Sequence, residues 1–267
     1  MSVLVYTENW EGKFKKLSFE LVSFAGKLAE MLGTSVTAVS IGNVEDSELQ
    51  KLGNYGAKKI LTVTGSNIEN LDNQIYSSII SQAATKEDAG IVLLSNNNAG
   101  KALAPRISVK LKAGLATAVT SLPDSLNPFT VTKKVFSGKA FANVIIKTDK
   151  RILTLSQNSF ELIETTSQVS VENFDPEVDI NQLKTQVKDV EKITGKILLT
   201  DAEIVVSGGR GMKSPDNWGP IEELADVLGA ATACSRPVSD EGWRPHGEHT
   251  GQTGKIIAPN LYMAFGI

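Results

Sequence analysis

The chain has 267 residues, of which 41% are hydrophobic and 21% charged, a composition that excludes global disorder and suggests two domains. Its 27 lysines and arginines against 30 aspartates and glutamates disfavour a dedicated nucleic-acid binder. One cysteine and two histidines exclude a disulfide framework and a cysteine-built metal centre. No apolar run has the length of a membrane span and the N-terminus lacks a signal-type core, so we expect a cytoplasmic protein without membrane insertion.

The first third of the chain alternates short apolar runs with amphipathic stretches, the pattern of an α/β domain. The predicted strands are residues 2–7, 35–41, 59–64 and 90–95, and the predicted helices are residues 16–32, 46–52, 72–87 and 102–111. Because helices separate these strands, we expect a mostly parallel sheet with crossover helices.

The pattern changes after Pro123, where helical spacing disappears. Three strand-like runs follow with only short turns between them, at residues 129–136, 140–147 and 151–155. We interpret them as an antiparallel meander that extends the sheet.

A polar stretch rich in Thr, Ser, Gln and Asp follows and predicts a linker or extended arm at about residues 161–195. The chain is therefore divided into an N-terminal α/β domain, residues 1–192, and a second, Rossmann-like α/β domain, residues 196–267.

Two glycine-containing turns follow predicted strands, where α/β folds usually bind ligands. The first, residues 96–101, lacks the Walker A spacing, and we favour an ordinary connection there. The second, Ser207–Gly211, follows a predicted strand at 201–206 and carries Arg210, a planar cation suited to phosphate. Its glycines would let the backbone approach a ligand closely, although the spacing differs from the dinucleotide fingerprint. Ser214 after it is a good helix N-cap.

Two more polar segments follow in the second domain. A short strand predicted at residues 230–235 ends at Ser235 and Arg236, and residues 250–255 read Thr-Gly-Gln-Thr-Gly-Lys. Hydroxyl, amide and glycine groups at this density suit the lining of a polar heterocycle or a phosphate. A last candidate strand spans residues 261–267.

These motifs together resemble the alpha subunit of electron transfer flavoprotein over essentially the whole chain. The resemblance is carried by Ser207–Ser214, Cys234–Arg236, Gly251–Lys255 and Ala258–Ile267, and more loosely by Ser2–Val5 and Gly100–Arg106. It implies an FAD-binding electron carrier that converts no substrate of its own. The carrier would accept electrons from dehydrogenases and pass them to a quinone-reducing or other acceptor, in a heterodimer with a beta subunit that holds AMP.

The resemblance also implies the residues that contact FAD: Arg210, Ser235, Arg236, Thr250, Gly251, Gln252 and Thr253. Arg210 would meet the phosphate region. Ser235 and Arg236 would lie at the flavin end, where a positive charge favours reduced, anionic flavin. The loop at 250–253 would run along the cofactor, with a threonine hydroxyl bonded to the ring. No catalytic residue and no metal ligand are expected.

Two other functions stay open. One is a nucleotide-binding module for AMP or ATP without redox activity, using residues 96–101 or 207–211. The other, an NAD-dependent oxidoreductase, is disfavoured because the usual fingerprint and its acidic ribose partner are missing.

Three expectations concern individual segments. Cys234 is interpreted as a packed thiol, and His246 and His249 as loop residues. Relatives of the family continue past the Gly-Ile with which this sequence ends, so the second domain is expected to be incomplete. FAD would then bind weakly or not at all, and residues 261–267 would form an unpaired or exposed strand.

Overall fold

A computed structural model describes residues 2–65, 68, 71–136, 138–165, 168–178, 188, 197–200, 202–251 and 253–267. The chain divides into two compact units, Met1–Val190 and Glu191–Ile267, and each is described by itself. Among the described residues, no helix has both the length and the apolar character needed to cross a membrane.

The first unit is built from alternating strands and helices. Its strands are β1 (Ser2–Thr7), β2 (Asn9–Trp10), β3 (Lys13–Phe14), β4 (Val36–Ile41), β5 (Lys59–Val63), β6 (Ala89–Ser95), β7 (Gly114–Val119), β8 (Ser125–Leu126), β9 (Phe129–Val135), β10 (Ala140–Ile145), β11 (Arg151–Leu155) and β12 (Ser170–Asn173). Its helices are α1 (Lys16–Leu32), α2 (Asp46–Gly53), α3 (Asn73–Lys86) and α4 (Asn98–Leu111).

One large sheet organises this unit, with the strand order β10-β9-β7-β11-β6-β1-β4-β5-β12. Seven strands run parallel to one another: β7, β11, β6, β1, β4, β5 and β12. Strand β9 is antiparallel to both of its neighbours, β7 and β10. The short strand β8 pairs with β9, and β2 and β3 form a separate small hairpin. The predicted fold, a mostly parallel sheet with crossover helices and an antiparallel extension, is confirmed.

Each face of the sheet has its own apolar core because successive side chains of a strand point to opposite faces. Val3 and Val5 of β1 belong to the core that contains Leu21 and Phe24 of α1. Leu4, between them, belongs to the other core, which α3 and α4 close. Every residue from Val3 to Val5 is completely buried, as expected for a strand covered on both faces.

The prediction for residues 151–155 was wrong in its topology. The strand β11 is not the last member of an antiparallel meander but runs parallel between β6 and β7. Its Ile152, Leu153 and Leu155 are completely buried, which is the pattern of a central parallel strand. The sequence prediction also missed β7, whose Gly-Leu-Ala-Thr-Ala-Val run has neither clear alternation nor a row of large side chains.

The described part of the predicted arm is tied to the first unit by backbone hydrogen bonds. The amides of Ile163 and Thr165 donate to the Ser23 hydroxyl and the Asn54 carbonyl. Strand β12 then pairs in parallel with β5, and its Glu172 contacts Lys59 and Lys86. Residues 179–187 and 189–196, on which the rest of this prediction falls, lie outside the described residues.

The second unit contains a three-stranded parallel sheet. Its elements are β13 (Ile204–Gly208), α5 (Gly219–Leu228), β14 (Ala231–Cys234), α6 (Arg236–Asp240) and β15 (Leu261–Phe265), in the strand order β14-β13-β15. Trp218, Ile221, Ala225 and Val238 pack in the core on one face, and Ala202 and Ala231 in the core on the other.

Residues 261–267 were predicted to form an unpaired or an exposed strand, and the structure shows that the strand is paired. Strand β15 pairs in parallel with β13 from Leu261 to Phe265. Its side chains remain partly exposed, since Leu261 and Phe265 keep 43% and 40% of their surface in water.

We predict that Glu172→Gln loosens β12 without unfolding the protein. Hydrogen bonds from Lys59 and Lys86 hold the pKa of Glu172 at about 2, below its ordinary 4.5. Because the pKa is lowered, the contact stabilises β12 fully at pH values above the ordinary pKa. This stabilisation is lost as the pH falls towards the lowered pKa of about 2. Hydrogen exchange near neutral pH should therefore be about two- to fivefold faster for residues 170–173 in the variant.

The matched control is Glu30→Gln, which removes an exposed ion pair with Lys27 on α1 and should leave exchange in β12 unchanged. Equal exchange of β12 in E172Q and the wild type would show that the two lysines do not hold this strand.

Candidate functional site

Three polar segments meet at the carboxyl ends of β13 and β14. The last residues of these parallel strands, Gly208 and Cys234, are partners in register, and the Ser235 amide donates to the Gly208 carbonyl at 3.1 Å. His249 forms a bridge with Cys234, and the Thr250 amide donates to the Cys234 carbonyl at 3.1 Å. The chain thus brings the turn after β13, the start of α6 and the loop at 249–255 to one edge of the sheet, where α/β folds bind ligands.

Two exposed arginines lie in these segments. The Arg210 side chain is 71% exposed and its Nε lies 3.3 Å from a Glu241 carboxylate oxygen. Arg236, the first residue of α6, is 62% exposed and lies 3.2 Å from Asp240. Exposed ion pairs contribute little to stability, so both guanidinium groups are available to an incoming anion at small cost. Ser235, which directly precedes Arg236 and α6, makes no capping hydrogen bond with its side chain.

The loop after His249 is shaped by close backbone contacts. The Lys255 amide donates to the His249 carbonyl at 2.8 Å, and a Cβ on Gly254 would lie only 2.5 Å from that oxygen. Gly251 has a positive φ of 123°. The Thr250 hydroxyl lies 3.5 Å from the Tyr262 hydroxyl. Thr253 is exposed, and Gln252 lies outside the described residues.

The glycines of the turn after β13 pack closely against other residues of the second unit. The amides of Gly209 and Gly211 donate to the carbonyls of Phe265 and Gly266, at 2.8 and 2.7 Å. A Cβ on Gly209 would lie 2.3 Å from the Gly266 oxygen, and one on Gly208 would lie 2.4 Å from the Trp218 ring. The glycines therefore admit the chain's own last residues, and the exposed group that the turn offers is the Arg210 side chain.

The other glycine-containing turn, at residues 96–101, is also satisfied internally. The Asn97 side chain accepts from the Gly100 amide and donates to both oxygens of Glu8, each at 2.9 Å. The Ser95 hydroxyl also donates to Glu8. A Cβ on Gly100 would lie 1.7 Å from the Ser95 carbonyl oxygen, which explains this glycine without a ligand. The interpretation as an ordinary capped connection fits these contacts.

Arg244 is a structural cation that the sequence prediction missed. Its side chain is only 16% exposed and forms two bonds with Glu248, both 2.8 Å, and one with Glu222 at 2.6 Å. The guanidinium also lies over the Trp218 ring at 5.6 Å. The bonds with Glu248 raise the pKa of Arg244 above its ordinary value. A 3-10 turn at residues 246–248 places Glu248 beside Arg244, four residues earlier. Nothing in the sequence predicts that turn.

Cys234 and His249 are buried, whereas His246 is exposed. Cys234 is completely buried, and burial raises the pKa of its thiol to about 11, so the packed-thiol prediction is confirmed. His249 is 3% exposed, and its ring lies 5.5 Å from that of His246. Within the described ranges, no three acidic, histidine or cysteine side chains could hold a metal ion. The buried Nδ1 of His249 and Oγ of Ser207 have no hydrogen-bond partner there.

The fold and the polar edge of the second sheet define the class of protein: an α/β protein of two units, whose second unit carries a site with exposed arginines and hydroxyl groups. Two family profiles match the chain: Electron transfer flavoprotein domain over residues 3–179, and Electron transfer flavoprotein FAD-binding domain over residues 198–267. The chain belongs to the electron transfer flavoprotein family, as an alpha subunit. It is an FAD-binding electron carrier and not an enzyme with a substrate of its own.

Curated relatives support this assignment over nearly the whole chain. "Electron transfer flavoprotein subunit alpha" of Bacillus subtilis (strain 168) is 32% identical over 99% of this chain and 81% of the relative. The protein of the same name from Syntrophomonas wolfei is 32% identical over 98% of this chain and 82% of the relative. "Acryloyl-CoA reductase electron transfer subunit beta" of Anaerotignum propionicum is 28% identical, with coverage of 99% and 81%.

We predict that Arg244→Ala destabilises the second unit. The substitution leaves Glu248, whose side chain is 13% exposed, without its cation and removes the contact with Trp218. Because the site is only partly buried, the free energy of unfolding should fall by about 2 kcal/mol, below the cost of breaking a fully buried pair. Denaturant titration followed by tryptophan fluorescence measures the loss.

Arg106→Ala is the control, since Arg106 is exposed on α4 and donates to the Ala102 carbonyl of its own helix. It should shift the unfolding midpoint little. A midpoint for R244A equal to that of R106A would refute a structural role for this cluster.

Proposed function

We propose that this chain holds FAD at the carboxyl ends of β13 and β14, through the segments that carry Arg210, Arg236 and Thr250. The observation that supports this most is the meeting of two exposed, displaceable arginines with a hydroxyl-bearing loop at that edge. FAD, when bound, supplies a flavin ring that takes up electrons from one redox partner and releases them to another.

The donors of the site suit the two ends of FAD. A guanidinium forms strong, charge-assisted hydrogen bonds with phosphate oxygens, which assigns Arg210 to the pyrophosphate. Ser235 and Arg236 are assigned to the flavin ring, where a cation stabilises added negative charge and so raises the reduction potential. Thr250, Gly251, Gln252 and Thr253 are assigned to the length of the cofactor. The unpartnered Nδ1 of His249 is a buried polar atom next to that loop, as expected beside a polar ligand.

The wider function follows from the family. We propose that the chain works in a heterodimer with an electron transfer flavoprotein beta subunit that holds AMP, in the cytoplasm. Electrons would arrive from dehydrogenases and leave to a quinone-reducing or other acceptor. The relative from Anaerotignum propionicum is named as the electron transfer subunit of an acryloyl-CoA reductase, which is consistent with such a redox partner.

The alternative, a module that binds AMP or ATP at residues 96–101, is less favoured. Glu8 already occupies the Asn97 amide there with a carboxylate, and a nucleotide phosphate would meet the same negative charge.

We predict that Arg210→Ala and Arg236→Ala each weaken FAD binding about tenfold, because each removes a charge-assisted contact. FAD fluorescence, titrated with the chain in complex with its beta subunit, measures the dissociation constant. R236A should also lower the flavin midpoint potential. In R236K the potential should stay close to that of the wild type, because lysine keeps the positive charge.

The control is R106A, which removes an exposed arginine from the first unit. Dissociation constants for R210A and R236A that match that of R106A would contradict the proposed site. The same titration on the isolated 267-residue chain tests the expectation that it binds FAD weakly.

A further inference from the structure

The two histidines of the second unit are three residues apart and have different surroundings. His246 is exposed, and its Nδ1 lies 3.3 Å from the Ser239 hydroxyl. His249 is buried, and its Nδ1 has no hydrogen-bond partner among the described residues. The two rings meet edge to face, with their centroids 5.5 Å apart. His249 therefore carries a buried polar atom that the described part of the chain leaves unsatisfied.

The His249 ring packs against the loop at 249–255. The Lys255 amide donates to the His249 carbonyl at 2.8 Å, so the loop returns to the residue from which it starts. A Cβ on Gly254 would lie 2.9 Å from Cδ2 of the His249 ring. This glycine lets the backbone of the loop pass directly beside the ring. A change in the contacts of the ring therefore acts on the loop that carries Thr250 and Thr253.

The unsatisfied Nδ1 of His249 is assigned as a hydrogen-bond acceptor. A neutral imidazole has one nitrogen that carries a hydrogen and one that does not. The other nitrogen, Nε2, is not among the buried atoms that lack a partner in the described residues, so the hydrogen is better placed there. Buried N–H groups without an acceptor are also rarer in proteins than buried acceptors without a donor. A donor, and specifically one that reaches Nδ1, is therefore what this ring lacks.

Packing alone does not explain His249, and hydroxyl donors are close to it in the loop. A buried polar atom without a partner costs free energy that an apolar side chain of similar size would avoid. The Thr250 hydroxyl lies 3.5 Å from both the Cys234 carbonyl oxygen and the Tyr262 hydroxyl, which is longer than an ordinary hydrogen bond between oxygens. Thr253 is exposed. The hydroxyls of the loop are thus only weakly engaged by the contacts described.

We propose that His249 is a positioning residue of the FAD site, whose Nδ1 accepts a hydrogen bond from a hydroxyl group only when FAD is bound. Because Nδ1 is closed to solvent in the FAD-free chain, the loop at 249–255 shifts to form this bond, which then fixes the loop against the cofactor. The hydroxyl belongs to Thr250, to Thr253 or to the ribityl chain of FAD. The inference rests on the FAD site proposed above and adds a residue outside its expected contacts.

Nuclear magnetic resonance of the histidine rings tests the bond directly. The chain contains two histidines, so labelling it alone with ¹⁵N-histidine gives ring signals from two residues. The labelled chain, in complex with an unlabelled beta subunit, is compared with and without FAD at one fixed pH. The Nδ1 signal of His249 should move in the direction of hydrogen-bond acceptance when FAD binds. The Nδ1 signal of His246 should stay in place.

Two substitutions of His249 separate the polar atom from the packing. H249L removes both nitrogens and keeps a side chain of similar size, so it should raise the FAD dissociation constant of the complex about three- to tenfold, the effect of one lost hydrogen bond. The unfolding midpoint of the FAD-free chain should not fall in this variant, because the buried unsatisfied atom is gone. H249N keeps a polar atom near the position of Nδ1 and should bind FAD within about threefold of the wild type.

The matched controls are H246L and H246N, which make the same changes at the exposed histidine. Both should bind FAD within about twofold of the wild type, since substitutions of exposed residues have small effects. T250V and T253V identify the donor. If the Nδ1 signal of His249 no longer moves in one of them, that threonine supplies the hydroxyl, and if it moves in both, the hydroxyl belongs to FAD.

Two results would overturn the role of His249 while leaving the FAD site intact. One is a wild-type complex that takes up FAD without any movement of the Nδ1 signal of His249. The other is an H249L complex that binds FAD as tightly as the wild type. If H249L loses stability or does not fold, the signal of the wild type decides, and an unmoved signal then identifies a packing residue. A wild-type complex that takes up no FAD contradicts the proposed function itself.

Discussion

The parallel pairing of β13 with β14 is the constraint on which the candidate site depends. The two strands end side by side at Gly208 and Cys234, and the chain leaves each of them in the same direction. The loop at 249–255 joins them because His249 bridges to Cys234. Without this pairing, Arg210, Arg236 and Thr250 would be three unrelated surface residues. With it, a cation on each side and a hydroxyl loop share one edge of the sheet.

A second constraint is that two backbone amides of the glycine turn are already hydrogen-bonded within the second unit. The amides of Gly209 and Gly211 bind the carbonyls of Phe265 and Gly266, so the pairing of β15 with β13 and the shape of the glycine turn support each other. These two amides are therefore unavailable to an anionic ligand, whereas the Arg210 side chain of the same turn is exposed. Each of the two arginines lies beside a carboxylate, at 3.3 Å for Arg210 and 3.2 Å for Arg236.

Local signals predicted local structure well. The helix predicted at residues 16–32 has the same bounds in the structure, and Gly33, which follows it, adopts a left-handed φ of 65°. Long-range pairing was harder. The position of β11 in the sheet depends on which strands it pairs with, and β6 and β7 are far from it in sequence. Its short apolar run is compatible with a strand at the end of a sheet or in its centre. The glycine turn shows the same limit. From the sequence alone, a glycine that makes room for the Gly266 backbone cannot be distinguished from one that makes room for a phosphate. Arg244 could not be predicted, since its two carboxylates come together only after α5 and the 3-10 turn are packed.

The central claim is that FAD lies against side chains at the carboxyl ends of β13 and β14. Hydrogen exchange of the complex with and without FAD tests it most directly. The account predicts slower exchange in residues 235–240 and 249–255 on FAD binding, and little change at the Gly209 and Gly211 amides, which are already hydrogen-bonded without FAD. Slower exchange confined to residues 96–101 would contradict the claim.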